Sequence, residues 1–155
     1  MSKIEKSSAQ KASSANKTMT NNKPVSITQI KIPFHDIDSM NVVWHGRYVK
    51  YLEVARCELL ESFNYGYKAM QDSGYVWPII DMHIRYASPL TLDQEISIQS
   101  TLVEWEHRLK IRYLITDTQS GKRLSKASTT QVAVSIATQE MQFESPPILL
   151  EKLAQ

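Results

Sequence analysis

The segment Phe34-His35-Asp36-Ile37-Asp38-Ser39-Met40-Asn41-Val42-Val43-Trp44-His45-Gly46-Arg47-Tyr48, running on through Val49-Lys50-Tyr51-Leu52-Glu53-Val54-Ala55-Arg56, joins two carboxylates and an imidazole to the start of an amphipathic helix. From about Gly46 to Phe63 the apolar positions follow a helical period. Tyr48, Leu52, Ala55, Leu59 and Phe63 step by three or four, while Lys50, Glu53, Glu58 and Glu61 fall elsewhere on the wheel. This spacing predicts a helix of about five turns. A helix start carries unpaired backbone N–H groups and a partial positive charge, so an acid, a histidine and a polarising dipole fall within about one turn of each other. Such a grouping suits attack on a carbonyl.

On either side of this segment the period changes to two. Ile27 to Phe34 alternates in the manner of a half-buried strand. After the helix, Asn64-Tyr65-Gly66 interrupts the pattern, and Tyr67 to Asp72 predicts a short second helix ended at Ser73-Gly74. Four β-rich segments follow, Val76–Ser88, Gln94–Trp105, His107–Thr118 and Arg123–Ala137, with Gln119-Ser120-Gly121 marking a hairpin turn. A strand, a long helix and a run of largely antiparallel strands predict an α+β fold with the helix covering one sheet face.

Composition narrows the possibilities without choosing among them. A chain of 155 residues supports one domain, and 42% apolar with 22% charged residues is ordinary for a globular protein. Residues 1–24 hold Lys3, Lys6, Lys11, Lys17 and Lys23 against Glu5, a local balance of +4 within a formal total of +2. This segment has no apolar period and is expected to be a disordered basic extension, with the folded domain spanning 25–155. The remaining body, at −2 with its basic groups dispersed among acids, lacks the positive face of a duplex nucleic-acid binder. The apolar runs are too short for a membrane span, and no secretory signal is expected. A single cysteine, Cys57, suits a reducing, cytoplasmic setting.

Asp36-x-Asp38, then Val42-Val43-Trp44-His45, Tyr48, Leu52 and Glu53-x-Ala55-Arg56, resemble the hotdog-fold acyl-CoA thioesterases of the 4-hydroxybenzoyl-CoA thioesterase type, in element order over about residues 27 to 150. Asn41 stands where that family usually has glycine. Asparagine is the ordinary residue best able to visit the left-handed backbone region, so the turn survives the exchange. The resemblance implies an antiparallel sheet wrapped around one long central helix, protomers joined edge to edge as a homodimer or homotetramer, and active sites at the dimer interface. It also implies hydrolysis of an acyl thioester, on coenzyme A or an acyl-carrier protein, to free acid and thiol.

Taken alone, Asp38 reads as an N-cap or turn acid. The resemblance assigns it as the catalytic carboxylate, either activating water or attacking the carbonyl itself. By the same resemblance His45 assists near the acyl group or thiol. Val43, Trp44 and Tyr48 are candidate substrate-binding residues, and Trp77 and Pro78 belong to a bulky apolar stretch, 75–80, that suits either an acyl channel or ordinary core. Trp44 is most simply a core aromatic with its N–H satisfied. Asp36 reads as a turn acceptor for loop N–H groups. Glu53 is the alternative base, since some hotdog thioesterases carry their acid on this helix; structurally, Glu53 and Arg56 would tie the helix to a neighbouring strand. Donors for a developing oxyanion are expected from the N–H groups of Trp44 to Arg47. Cys57 reads as a buried small hydrophobe.

No metal ligand spacing is found around His35, His83 or His107, and neither a metal nor a cofactor is expected. The four glycines offer no phosphate-cradling loop, so phosphates of coenzyme A would meet side chains such as Arg85, Arg112, Lys122, Arg123 and Lys126. Individually each of these reads as a solvated charge. The acidic body favours coenzyme A over an acidic carrier protein. Two other readings stand beside hydrolysis. A hotdog dehydratase or hydratase would need different His and acid motifs, which the chain lacks. A non-catalytic acyl-thioester-binding or regulatory hotdog would keep the same pocket.

Overall fold

The structure, a computed structural model, describes residues 23–155, so the expected basic extension, Lys23 and Pro24 apart, lies outside the described residues. In chain order the elements are β1 (Val25–Lys31), 3-10 turns at Phe34–Asp36 and His45–Arg47, α1 (Tyr48–Ser62), α2 (Tyr67–Asp72), β2 (Tyr75–Val76), β3 (Ile79–Tyr86), β4 (Glu95–Glu104), β5 (Leu109–Asp117), β6 (Arg123–Gln131), β7 (Val134–Ser135) and α3 (Pro147–Ala154).

The predicted apolar stripe of α1 is the centre of the core: Tyr48, Leu52, Ala55, Leu59 and Phe63 are all buried. The helix is shorter than its spacing predicts. It has 15 residues, about four turns, because His45–Arg47 winds as a tighter 3-10 turn before it. Gly46 is a poor helix former, and the tight turn lets the Arg47 N–H donate to the Trp44 carbonyl at 2.9 Å. At the other end Asn64 takes a φ of 61°, a left-handed stop that explains the break in period there.

Five strands form one antiparallel sheet in the order β1-β4-β5-β6-β3, and β2 pairs with β7 apart from it. On the face turned to α1, Ile96, Ile98 and Leu102 of β4 align with Leu109, Ile111, Tyr113 and Ile115 of β5, all buried. Alternation sends the intervening residues outward. α1 lies against β1 and β4, so the sheet curves around one long helix, the hotdog arrangement that the resemblance implied. Each buried leucine on this interface stabilises the fold by about 1.5–3 kcal/mol.

Three segments depart from the sequence expectation. The strand expected over 76–88 breaks at Trp77-Pro78, where proline has no N–H for a ladder, and resumes as β3. The strand expected over 123–137 ends at Gln131 and continues only as the short β7. α3 was assigned no element from the sequence; its eight residues hold one fully buried side chain, Leu149, too short a stripe to declare a period.

Asn41 has a φ of 62° in the loop between the two 3-10 turns. Asn41→Gly is therefore expected to leave stability within a few tenths of a kcal/mol, while Asn41→Val costs about 1–2 kcal/mol, as measured by urea unfolding.

Candidate active site

The loop between the 3-10 turns is a miniature hairpin. Ile37 and Val43 form a bridge, the Asp38 N–H donates to the Val42 carbonyl at 2.9 Å, and the Asn41 N–H donates to the Asp38 carbonyl at 3.1 Å. Asp38 is half-buried, and its Oδ1 accepts the Met40 N–H at 2.8 Å. The turn role expected of this residue is thus filled by one oxygen. The other, Oδ2, makes no hydrogen bond among the described residues.

Asp36 departs from its expected role. Its side chain is fully buried and receives no loop N–H. Instead Oδ2 accepts the Tyr51 hydroxyl at 2.6 Å and lies 3.5 Å from Lys50 Nζ, while Oδ1 lies 3.5 Å from Arg47 Nε. Burial works against ionisation here, but the Tyr51 hydroxyl and the charges of Lys50 and His35 outweigh it and hold the carboxyl below its ordinary value. Burial and the Asp36 carboxylate together push the Tyr51 hydroxyl well up. The Asp36 carbonyl also accepts the Trp44 N–H at 3.0 Å. One residue therefore ties both ends of the loop to the first turn of α1.

His45 is exposed at the start of the second 3-10 turn. Its carbonyl accepts the Tyr86 hydroxyl at 3.0 Å, and the Tyr86 ring stands edge-on to Tyr48 with centroids 4.6 Å apart. Trp44 is 49% exposed and leans on His45 with ring centroids 5.1 Å apart, so it is no core aromatic. Its indole lies over Gly46 so closely that a Cβ there would overlap the ring. Val43 and Tyr48 are buried, and burial pushes the Tyr48 hydroxyl up. The expected N–H donors narrow: Trp44 and Arg47 spend theirs on the Asp36 and Trp44 carbonyls, whereas the N–H groups of His45 and Gly46 have no backbone acceptor among the described residues.

The remaining expected residues lie elsewhere. Trp77 and Pro78 line a cavity of about 460 Å³ with Tyr67, Met70, Tyr75 and Val76, to which nothing from the 34–48 segment contributes. Trp77 Nε1 donates to the Tyr65 hydroxyl at 3.2 Å, and Gln131 Nε2 donates to the Trp77 carbonyl at 2.8 Å. Glu53 is paired with the Arg56 guanidinium, which is 2% exposed and donates to the Tyr67 hydroxyl at 2.5 Å. The pair thus joins α1 to α2, and the Arg56 guanidinium also faces Tyr113 of β5, the strand contact expected of it. Burial disfavours the Arg56 charge, but Tyr67 and Glu53 outweigh it and raise its value. Cys57 is half-buried and its thiol is pushed up by burial, which suits an inert side chain. Among the described residues no group of three or more His, Cys, Asp or Glu is placed to hold a metal ion.

Tyr51 and Tyr86 were not singled out from the sequence, though each carried a signal. Tyr51 follows Tyr48 by three on the helix, and a tyrosine facing a core needs a partner for its hydroxyl. Tyr86 closes a strand just before the loop that leads to Pro89.

The chain is similar to known proteins in sequence and in fold. The sequence profile of the thioesterase-like superfamily matches residues 32–153. A Synechocystis sp. protein bearing an esterase name is 28% identical over 125 residues, 80% of this chain and 75% of that one. The long-chain acyl-CoA thioesterase FadM of Escherichia coli (strain K12) is 27% identical over 114 residues, 73% of this chain and 86% of that one. In fold, the chain is similar to a DHNA-CoA thioesterase from Staphylococcus aureus, with a TM-score of 0.75 and 22% identity, over 84% of this chain and 89% of that one.

Because the folded state depresses the Asp36 pKa, the stability this charge contributes is fully present above the ordinary aspartate value of about 3.9 and is lost as pH falls through the depressed value. Tyr51→Phe is expected to cost about 1–3 kcal/mol near neutral pH and to move acid unfolding to higher pH. Thermal melts between pH 2 and pH 7 check both. An acid limb in the variant that overlays the wild type would show that the Asp36–Tyr51 contact does not set the acid stability.

Proposed function

The chain belongs to the thioesterase-like superfamily, and we propose that its reaction, hydrolysis of an acyl-CoA thioester to free acid and thiol, takes place on the 38–46 loop with Asp38 as its carboxylate. The observation that carries this reading is the division of labour at Asp38. Oδ1 is committed to the Met40 N–H, which fixes the side chain, while Oδ2 is unengaged among the described residues, and the turn that ends the same loop has two N–H groups without a backbone acceptor.

The chemistry follows from those atoms. Asp38 Oδ2 takes a proton from water, whose oxygen bonds to the thioester carbon, or attacks that carbon directly and is released by water in a second step. The carbonyl oxygen gains negative charge, and the N–H groups of His45 and Gly46 are the donors suited to receive it. The C–S bond then breaks and the thiolate takes up a proton, with the His45 imidazole as the assisting group. Val43, Trp44 and Tyr48 frame the acyl carbonyl end. The apolar cavity at Trp77 and Pro78 is suited to the acyl body, contributed within this chain or by a second copy.

A homodimer joined along β3 accounts for the site's openness. β3 pairs on one side only, with β6, and Ile80 on β3 and Phe34, Met40 and Trp44 near the loop are exposed apolar side chains. Light scattering is expected to give a mass of two chains or a multiple of two. Among the described residues no helix is long and apolar enough to cross a membrane, and a free Cys57 fits a reducing cytoplasm.

Thiol release from a panel of short, medium, long and aryl acyl-CoA esters tests the reading directly. Asp38→Asn is expected to lower kcat by about 10²- to 10⁴-fold with the circular dichroism spectrum unchanged. Glu53→Gln, whose carboxylate is engaged by Arg56, is expected to keep most of the activity. Turnover that survives in Asp38→Asn and vanishes in Glu53→Gln would overturn the assignment.

A further inference from the structure

One peptide unit in the His45–Arg47 turn is gripped from outside the loop. The His45 carbonyl accepts the Tyr48 N–H that closes the 3-10 turn, and it also accepts the Tyr86 hydroxyl at 3.0 Å. A carbonyl oxygen has two lone pairs, so both are engaged. The first bond is local to the turn. The second comes from the last residue of β3, 41 positions along the chain, and fastens the turn to the sheet.

That second bond acts on a particular donor. A trans peptide is planar, with its C=O and N–H pointing in opposite directions. The unit that ends in the His45 oxygen carries the Gly46 N–H at its other end, one of the two N–H groups here without a backbone acceptor among the described residues. The other, on His45, shares its peptide with the Trp44 carbonyl, which the Arg47 N–H holds from within the turn at 2.9 Å. Gly46 has no Cβ to restrict its own backbone, so its N–H takes its direction from whatever fixes the His45 oxygen. Hydrogen bonds in series also polarise one another, and an occupied carbonyl makes the N–H of the same peptide a better donor.

Tyr86 is well mounted for this task. Its backbone pairs with Ser125 of β6, and its ring stands edge-on to the buried Tyr48 ring with centroids 4.6 Å apart. A second edge contact, at 6.3 Å, is made with the His45 imidazole. The ring therefore delivers its hydroxyl from the sheet to a main-chain oxygen.

We infer that Tyr86 is a positioning residue for thioester cleavage, its hydroxyl setting the direction and strength of the Gly46 N–H toward the carbonyl oxygen of the substrate. The inference rests on the hydrolase reading above and adds a residue that acts on the reaction through the backbone, without touching the thioester. A donor aimed at that oxygen gains strength as negative charge develops on it, so the effect falls on the transition state more than on bound substrate.

Tyr86→Phe removes the hydroxyl and keeps the ring contact with Tyr48, and two measurements on the full chain read the result. In the free protein, the Gly46 amide nitrogen resonance is expected to move upfield, because a hydrogen bond to the preceding carbonyl draws electron density from that nitrogen. The same spectrum shows whether the fold is retained. With an acyl-CoA ester that wild type hydrolyses, kcat is expected to fall roughly tenfold while KM stays within about twofold. A carbon-13-labelled ketone analogue, with a methylene between the carbonyl and the sulfur of coenzyme A, gives the signature at the oxygen itself. Its carbonyl stretch should be lowered on binding wild type and lowered less on binding Tyr86→Phe. An unmoved Gly46 resonance, an equal carbonyl stretch in the two proteins, or a loss carried by KM in place of kcat would overturn the inference. If wild type hydrolyses no ester, the hydrolase reading fails; a Gly46 resonance that still moves then keeps the backbone tie, and one that does not removes it as well.

Discussion

A carboxylate taken wholly out of water between a loop and a helix is the constraint on which the rest of this site depends. Asp36 is ionised in a place where burial opposes charge, held so by His35 beside it and by the Tyr51 hydroxyl and Lys50, which come from the first turn of α1. Those partners cannot be present unless α1 is docked in register against the sheet. The same carboxylate's backbone carbonyl closes the loop at Trp44. Packing of the helix stripe, geometry of the loop and placement of Asp38 are therefore one cooperative event rather than three.

What could be read from the chain follows from the range of each interaction. The stripe Tyr48-Leu52-Ala55-Leu59-Phe63, the stops at Asn64 and Gly74 and the left-handed turn at Asn41 are local, and local periodicity or backbone preference reports them faithfully. An α+β arrangement with a helix over one sheet face is legible because one long helical period followed by several strands leaves few ways to cover a sheet, whereas the hotdog wrapping came from the resemblance carried by residues 34–56 and not from periodicity. Even so, the α1 start was misplaced, since nothing in the hydropathy of His45-Gly46-Arg47 separates a 3-10 turn from an α turn.

The interior of the site was less legible. A buried acid and a turn acid look alike until the partners of Asp36, up to 15 residues away, are brought against it. Tryptophan's large apolar surface favours a core position, yet the Trp44 indole rests outside on Gly46. Trp77 and Pro78, candidates for the acyl channel by their bulk, line a cavity that within one chain is separate from Val43 and Tyr48. Arg85, Arg112 and Lys126 were visible one at a time. Their assembly on one face of the sheet depends on the register of three strands, which no single segment encodes.

β3 is hydrogen-bonded along one side to β6 and is open along the other, and its last residue reaches over to hold the carbonyl of His45. An edge strand is the part of a sheet most readily displaced, because half of its ladder is missing. Tyr86 makes that displacement legible at the imidazole: a lateral shift of the edge is a shift of the histidine's backbone. The sheet's margin and the 38–46 loop are thus a lever and its load, so that whatever braces the outer rim of the sheet also steadies the backbone of that loop.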